Sequence, residues 1–472
     1  MTEDEYLSSD ALGLAFLIAR GEATALEALE AALARMAKVN PKVNAVTMDL
    51  SDRARAEAAG AARLGPFAGV PFLLKDLGPS LAGTSTTQSC KLYAGEIAEA
   101  DSPLTALYRA AGLVIFGKTN TPELGLEPVT EPAMFGPTRN PWDLARTSGG
   151  SSGGAAAAVA AGIVPAAHAS DGGGSIRIPA ACCGLFGLKP SRGCVSAAPK
   201  DEGWGGFSCS HVVSRSVRDS AALLDVAARP QPGDPYWAEP PPRQFLASAQ
   251  EDPAPLRIAF TTRAFSTEAI EPACAEAVRA AARLCERLGH YVEEADPPID
   301  RASLAAAGIV IAASVAADLD AAGARRGRPV TPDDVEPLTF SAYERGRAVG
   351  GPAYILALRA AHALGRAVAA FFGRYDILIC STLGSPAVPI GHLHGDPFDE
   401  AGYARRLFDF MPNTQAFNIT GQPAASLPLA MSPEGLPIGV QVVGRQAEDA
   451  LVLSLAGQLE RAAPWAGRRA PI

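Results

Sequence analysis

TSGGSSGGAAAAVAAGIVPAAHASDGGGSIRIP, residues 147–179, decides how the rest of the chain is read. Two Gly/Ser knots, GGSSGG (149–154) and DGGGSIR (171–177), are joined by an Ala-rich apolar segment. Glycine accepts positive φ without steric cost, so serines in such knots sit on sharply bent backbone. A nucleophile needs that exposure, and an oxyanion hole needs free backbone N–H groups nearby. A flexible linker would share the composition, but a linker would not continue into AAAAVAAGIV, which can bury a helix and then a strand. The stretch is therefore part of a core.

The composition is that of a large globular protein: 472 residues, 48% hydrophobic and 19% charged. A net charge of −9 argues against nucleic acid and anionic membrane as partners, since both attract basic patches. The acidic opening MTEDEYLSSD is the reverse of a signal peptide's basic start. No apolar run reads as a membrane span, the longest being broken by Gly and Pro. The eight cysteines show no CxxC pairing, which signals neither a metal site nor a disulfide framework. Buried thiols in a reducing, cytoplasmic compartment are expected.

Only seven of the 41 basic residues are lysine. A surface decorated with arginine has little reason to place a lysine in an apolar strand, yet Lys75 lies in GVPFLLKDL. Arginine stays protonated in proteins, whereas desolvated lysine can lose its proton. Lys75 is a candidate base.

Periodicity predicts helices over 10–39, split at Gly21–Glu22 with Thr24 as N-cap of the second, and over 51–64, capped by Ser51 or Asp52. NPKVNAVTM (40–48) reads as a turn into a strand, 65–76 as a buried strand delivering Lys75, 105–112 as a helix and 113–120 as a strand. This is β-α-β alternation. The Pro-rich stretch 121–148 and the Gly-rich stretch 200–213 read as loops walling a site. Further helices are expected at 219–228, 270–289, 302–323, 352–373 and 451–460. Strands are expected at 255–262, 290–295 and 375–382, with a hairpin-like pair at 417–429 and 435–444.

Lys75, Ser151 and Ser175 follow one another at separations of 76 and 24 residues. With GVPFLLKD (69–76), GKTNTPE (117–123), GPTRNPWD (136–143), GLKPSRG (187–193), FNITGQPAASLP (417–428) and GLPIGVQVVG (435–444), they resemble the amidase signature family along nearly the whole chain. The resemblance implies an α/β fold: one domain, 1–472, with a large twisted mixed sheet between helices. Residues 1–64 would be a helical part packed on a catalytic core at 65–228, and 229–472 would complete the same domain. It also implies a Ser–Ser–Lys hydrolase in which Ser175 attacks an amide, Ser151 bridges after a cis Gly150–Ser151 peptide bond, and Lys75 is the base. The backbone N–H groups of Gly172, Gly173, Gly174 and Ser175 would form the oxyanion hole. A helix beginning near Ile176–Ile178 would add its positive end. Neutral Lys75 requires burial to depress its pKa. No metal or organic cofactor is implied, and related amidases are often homodimers.

Ser152, Asp171 and Arg177 take structural hydrogen-bonding roles by the same resemblance. His168, in an apolar strand, reads as a core histidine. His211, His290, His362, His392 and His394 lie outside both knots, so a Ser–His–Asp triad has no support. The family commonly has Asn where this chain has Leu77, and a Pro where it has Cys380–Ser381. Leu77, Leu126, Phe135, Trp204 and Phe207 are candidate pocket residues, and an apolar pocket would take a small uncharged amide. GRPVTPDDVE (327–336) resembles the branch that includes cyclic-oligoamide (nylon cyclic dimer) hydrolases. Two other readings compete: the glutaminase subunit of a tRNA-dependent amidotransferase, and a silent scaffold.

Overall fold

Strands that bury both faces organise the molecule. In the computed structural model, which describes residues 1–60, 64–200, 202–239, 241–267, 269–393 and 399–472, a three-stranded sheet has the order β1-β3-β2. Its strands are β1 (Val46–Asp49), β2 (Pro71–Lys75) and β3 (Val114–Thr119). A small hairpin of β4 (Arg139–Asn140) and β5 (Asp143–Thr147) follows within the expected loop 121–148. The remaining strands are β6 (Ala166–Asp171), β7 (Phe186–Lys189), β8 (Cys209–Ser214), β9 (Arg257–Phe260), β10 (Tyr291–Glu294), β11 (Ile377–Ser381), β12 (Ala424–Met431) and β13 (Pro437–Gly444). They form one eight-stranded sheet, ordered β10-β9-β11-β13-β12-β7-β8-β6. It is mixed: β9 runs parallel to β10 and β11, and the other pairs are antiparallel.

Alternation explains why this sheet needs helices on both sides. Ile377 and Ile379 enter one apolar cluster with the helices Val217–Ala227, Pro272–Arg287 and Asp449–Ala462. Leu378 and Cys380 enter the opposite cluster with the helices Arg301–Arg325 and Gly351–Phe371. Those last two helices are long and apolar enough to cross a membrane by length and composition, a property the broken apolar runs did not suggest. Each buries a face in this cluster, through Leu304 and Val310 in one and Leu364 and Val368 in the other.

Several local expectations are corrected. Helix Ser51–Ala58 has Leu50 at its cap position, with no side-chain cap. The β1 ladder runs on into Leu50, whose N–H donates to Phe116 O at 2.9 Å, so Ser51 and Asp52 fall inside the first turn. Residues 61–63 of the expected helix lie outside the described residues, as does His394. Helix Ala25–Val43 has Thr24 at its N-cap, as expected, there in a capping box with Glu27, but runs through Pro41 to a left-handed Asn44. Residues 416–420 are helical, closed by Gly421 at φ 90°, and the strand starts only at Ala424. The end of the expected loop 200–213 is β8. Helices Pro337–Arg347 and Glu400–Phe410 carried no sequence expectation.

Candidate active site

Lys75, the last residue of β2, is fully buried. β2 packs beside β6 but belongs to a different sheet. A side chain takes the place of a ladder partner: the Lys75 backbone N–H donates to His168 Nδ1 at 3.3 Å. His168 and Ser170, two residues apart on β6, share a face, and the second of them reaches the ammonium. Lys75 Nζ lies 3.0 Å from Ser170 Oγ and 2.7 Å from Ser151 Oγ.

Burial pushes the Lys75 amine down to about 7, against the opposing pull of Asp171. Its proton is therefore exchangeable near neutrality. His168 is pushed down to about 3, first by burial and then by the Lys75 charge and His211. It stays neutral, as a core histidine should. Lys118 and Lys189 are equally buried, but neither meets a knot serine. Lys118 bonds Thr86 Oγ1 at 2.9 Å and faces Asp76 at 3.8 Å, and Lys189 donates to Pro190 O at 2.8 Å.

Ser151 follows a cis peptide bond to Gly150. A Cβ on Gly150 would fall 2.5 Å from Val129 O, so only glycine lets the knot press against that backbone. Thr130 Oγ1 donates to Gly149 O at 2.9 Å and accepts the Gly153 N–H at 3.1 Å. Ser152 Oγ accepts the Ser170 N–H at 3.3 Å and donates to Ser170 O at 3.2 Å, while its own N–H donates to Ser175 O at 3.3 Å. These bonds tie the two knots together.

Ser175 is half-buried, in the turn between β6 and the helix Arg177–Cys183. Asp171 and Arg177 organise this turn from below. Arg177 is fully buried and grips the carboxylate with Nε at 2.9 Å and Nη2 at 2.8 Å. Burial alone would raise the Asp171 carboxyl, but the Arg177 guanidinium carries it well below the usual range. The remaining Arg177 donor Nη1 reaches Thr414 O and Gln441 Oε1, and Asn418 Nδ2 also donates to Asp171.

The four expected oxyanion donors differ in their surroundings. The Gly174 N–H donates to Asp171 Oδ1 at 2.7 Å, and that of Ile176 to Oδ2 at 3.1 Å. Gly174 therefore shapes the turn through an N–H that already has an acceptor. Among the described residues, the amides of Gly172, Gly173 and Ser175 meet no acceptor within the protein.

The candidate pocket residues divide. Leu77 reaches the site: a Cβ on Gly125 would fall 2.6 Å from Leu77 Cδ2 and 3.2 Å from Ser151 Oγ. Trp204 lies against Gly172. Phe207 is instead a core residue with Arg192 over its ring at 5.8 Å. Leu126 packs on a separate cluster with Tyr93, Leu319 and Tyr343. Phe135 is tied by its carbonyl to Asn44, at the end of the helix Ala25–Val43. The chain order did not mark Ser170 or Met411, whose Cε lies 3.8 Å from where a Cβ on Gly173 would stand. The signal for Ser170 was available: it stands at i+2 from His168, on the same face of a strand that begins apolar. Among the described residues, no group of three or more His, Cys, Asp or Glu is placed to hold a metal ion.

Residues 27–453 match the family model described as Amidase. The chain belongs to the amidase family. This amidase is 40% identical to the 6-aminohexanoate-cyclic-dimer hydrolase of Paenarthrobacter ureafaciens, over 98% of this chain and 96% of that protein. The solved structure of 6-aminohexanoate cyclic dimer hydrolase superposes with a TM-score of 0.93 at 40% identity, covering 98% of this chain and 99% of that one. A glutamyl-tRNA(Gln) amidotransferase subunit from Thermotoga maritima shares the fold more distantly, at 27% identity and a TM-score of 0.74 over 98% and 95% of the chains. The chain is thus an amidase, a hydrolase of C–N bonds, and it is more similar to 6-aminohexanoate-cyclic-dimer hydrolase than to the amidotransferase subunit.

Proposed function

We propose that this amidase hydrolyses uncharged aliphatic amides of the cyclic-oligoamide type through an acyl-enzyme on Ser175. The observation that carries the reading is a buried amine, lowered to about 7, in contact with the Ser151 hydroxyl. Neutral Lys75 takes a proton from Ser151 as Ser151 takes one from Ser175, and Ser175 Oγ bonds to the carbonyl carbon. The amides of Gly172, Gly173 and Ser175 receive the oxyanion. The proton held by Lys75 returns through Ser151 to the leaving nitrogen, the C–N bond breaks, and the ester on Ser175 remains. In a cyclic diamide the freed amine stays on the same molecule. Water then attacks the ester by the reverse relay, releasing the acid and regenerating Ser175.

Leu77 beside Ser151 and Trp204 beside Gly172 favour an apolar substrate and weigh against glutamine. All eight cysteines are free, which fits a reducing, cytoplasmic setting. The test is incubation of the purified chain with 6-aminohexanoate cyclic dimer, with mass spectrometry for the linear dimer. Product formed by the wild type and absent with Ser175→Ala supports the reading. Hydrolysis of glutamine alone would favour the amidotransferase reading instead.

A further inference from the structure

Gly203, Trp204, Gly205 and Gly206 have φ of 53°, 50°, 62° and 82°. Four successive positive values make a single left-handed turn. It is closed by the Gly206 N–H donating to Gly203 O at 3.2 Å and the Phe207 N–H donating to Trp204 O at 3.3 Å. Three glycines adopt this backbone freely. The tryptophan does not, because its Cβ crowds the backbone in the left-handed region. Bulky residues held there persist only where the surroundings enforce them, and they concentrate at functional sites.

The surroundings here do enforce it. A Cβ on Gly205 would fall 2.8 Å from Val310 Cγ1, and one on Gly206 would fall 2.6 Å from Tyr236 Cε2. The Arg192 guanidinium donates to Gly206 O and lies over the Tyr236 ring at 5.5 Å. Wedged in this way, the turn presents its one side chain to the nucleophile's loop. A Cβ on Gly172 would fall 2.7 Å from both Cε3 and Cζ3 of Trp204, so the indole rests on the backbone whose amide is a proposed oxyanion donor. The ring is only half-buried. Its inner face packs against the cluster that includes Phe207 and Val310, which anchors the ring beside Gly172.

We infer that Trp204 is a specificity-determining residue whose indole, fixed by the left-handed turn 203–206 against Gly172, is the surface along which the substrate's acyl chain lies. The inference rests on Ser175 being the nucleophile. It selects amides with an extended apolar acyl chain over those with a short one, because each methylene beside the ring gains apolar contact.

The experiment compares wild type, Trp204→Ala and Trp204→Phe on acetyl and hexanoyl p-nitroanilides. In parallel, the rate of covalent labelling is measured with fluorophosphonates carrying a short or a long alkyl chain. Trp204→Ala lowers the hexanoyl-to-acetyl ratio of kcat/KM about tenfold or more, mainly through KM, and lowers the long-to-short labelling ratio likewise. Trp204→Phe recovers part of both. Ratios that stay constant while all rates fall together, or that rise, overturn the inference and leave Trp204 a packing residue. If Trp204→Ala does not fold, Trp204→Phe and Trp204→Leu are compared, and equal ratios in the two overturn it. Labelling of Ser175 without anilide hydrolysis would sink the amidase reading while the labelling ratios still decide the role of Trp204. No labelling of Ser175 would sink both.

Discussion

Lys75 Nζ lies 2.7 Å from Ser151 Oγ, with the lysine fully buried and the serine 2% exposed. Water is excluded from this contact, so the lysine's charge state is set by the protein. A group lowered from 10.5 to about 7 is about half neutral at physiological pH, which suits a base poised near the operating pH. Activity follows that titration. The kcat/KM for a neutral amide, measured from about pH 5 to 9, rises with pH, bends near 7 and flattens above it. His168, neutral down to about 3, adds no inflection in that range.

The same depression has a consequence for stability. The folded chain resists protonating Lys75, while the unfolded chain accepts the proton up to about 10.5. Between about pH 7 and 10.5 the unfolded state therefore binds more protons, and this group's contribution to stability increases as pH rises. Lys75→Met removes the penalty. The variant is inactive yet unfolds at higher temperature than wild type at pH 7, and the difference narrows toward pH 10, as calorimetry would register.

Asp171 and Arg177 behave in the opposite way, because each compensates the other in a fully buried pair. Arg177→Ala leaves the carboxylate alone and costs roughly 3–5 kcal/mol in chemical denaturation. The Gly174 and Ile176 amides still donate to that carboxylate, but they carry no full charge to balance it. Arg177→Lys keeps the charge but loses the planar fork and recovers only part of the loss.

How much of this was legible in the sequence depends on distance along the chain. The knots carry their chemistry in adjacent residues, so the turn around Ser175 was legible locally, and the cis bond before Ser151 was implied by the family resemblance those knots carry. The scarcity of lysine pointed to burial, and Lys75, Lys118 and Lys189 are all buried, but scarcity alone did not separate the proposed base from the other two. What separates them is the neighbour each meets. Those neighbours come from β2 lying beside β6, more than ninety residues apart in the chain. The bond made by the Gly174 amide was hidden for a related reason. Three successive glycines looked equivalent until Asp171 took one of their N–H groups. Phe207 and Trp204, three residues apart, looked alike as aromatics of one loop; Phe207 is buried inside the cluster, while Trp204, on the left-handed turn, packs on its edge and also lies against Gly172.

His168 offers a test of how Lys75 is held. Its Nδ1 accepts the Lys75 backbone N–H, and its Nε2 meets no partner among the described residues. His168→Leu orphans the Lys75 amide at a cost of about 1–3 kcal/mol and lowers kcat with little change in KM. His168→Asn keeps an acceptor near the Nδ1 position and restores most of kcat. Steady-state kinetics on the two variants, alongside their urea midpoints, distinguishes loss of positioning from general destabilisation.

The central claim is that Ser175 is a nucleophile activated by a neutral Lys75. The most direct measurement is fluorophosphonate labelling of the purified protein, with the adduct located by peptide mass spectrometry. The account predicts a single adduct on Ser175, formed faster as pH rises through about 7 and slowed by several orders of magnitude, roughly 10⁴-fold or more, in Lys75→Met. An adduct on another serine, or labelling of Ser175 that Lys75→Met leaves at the wild-type rate, would contradict it.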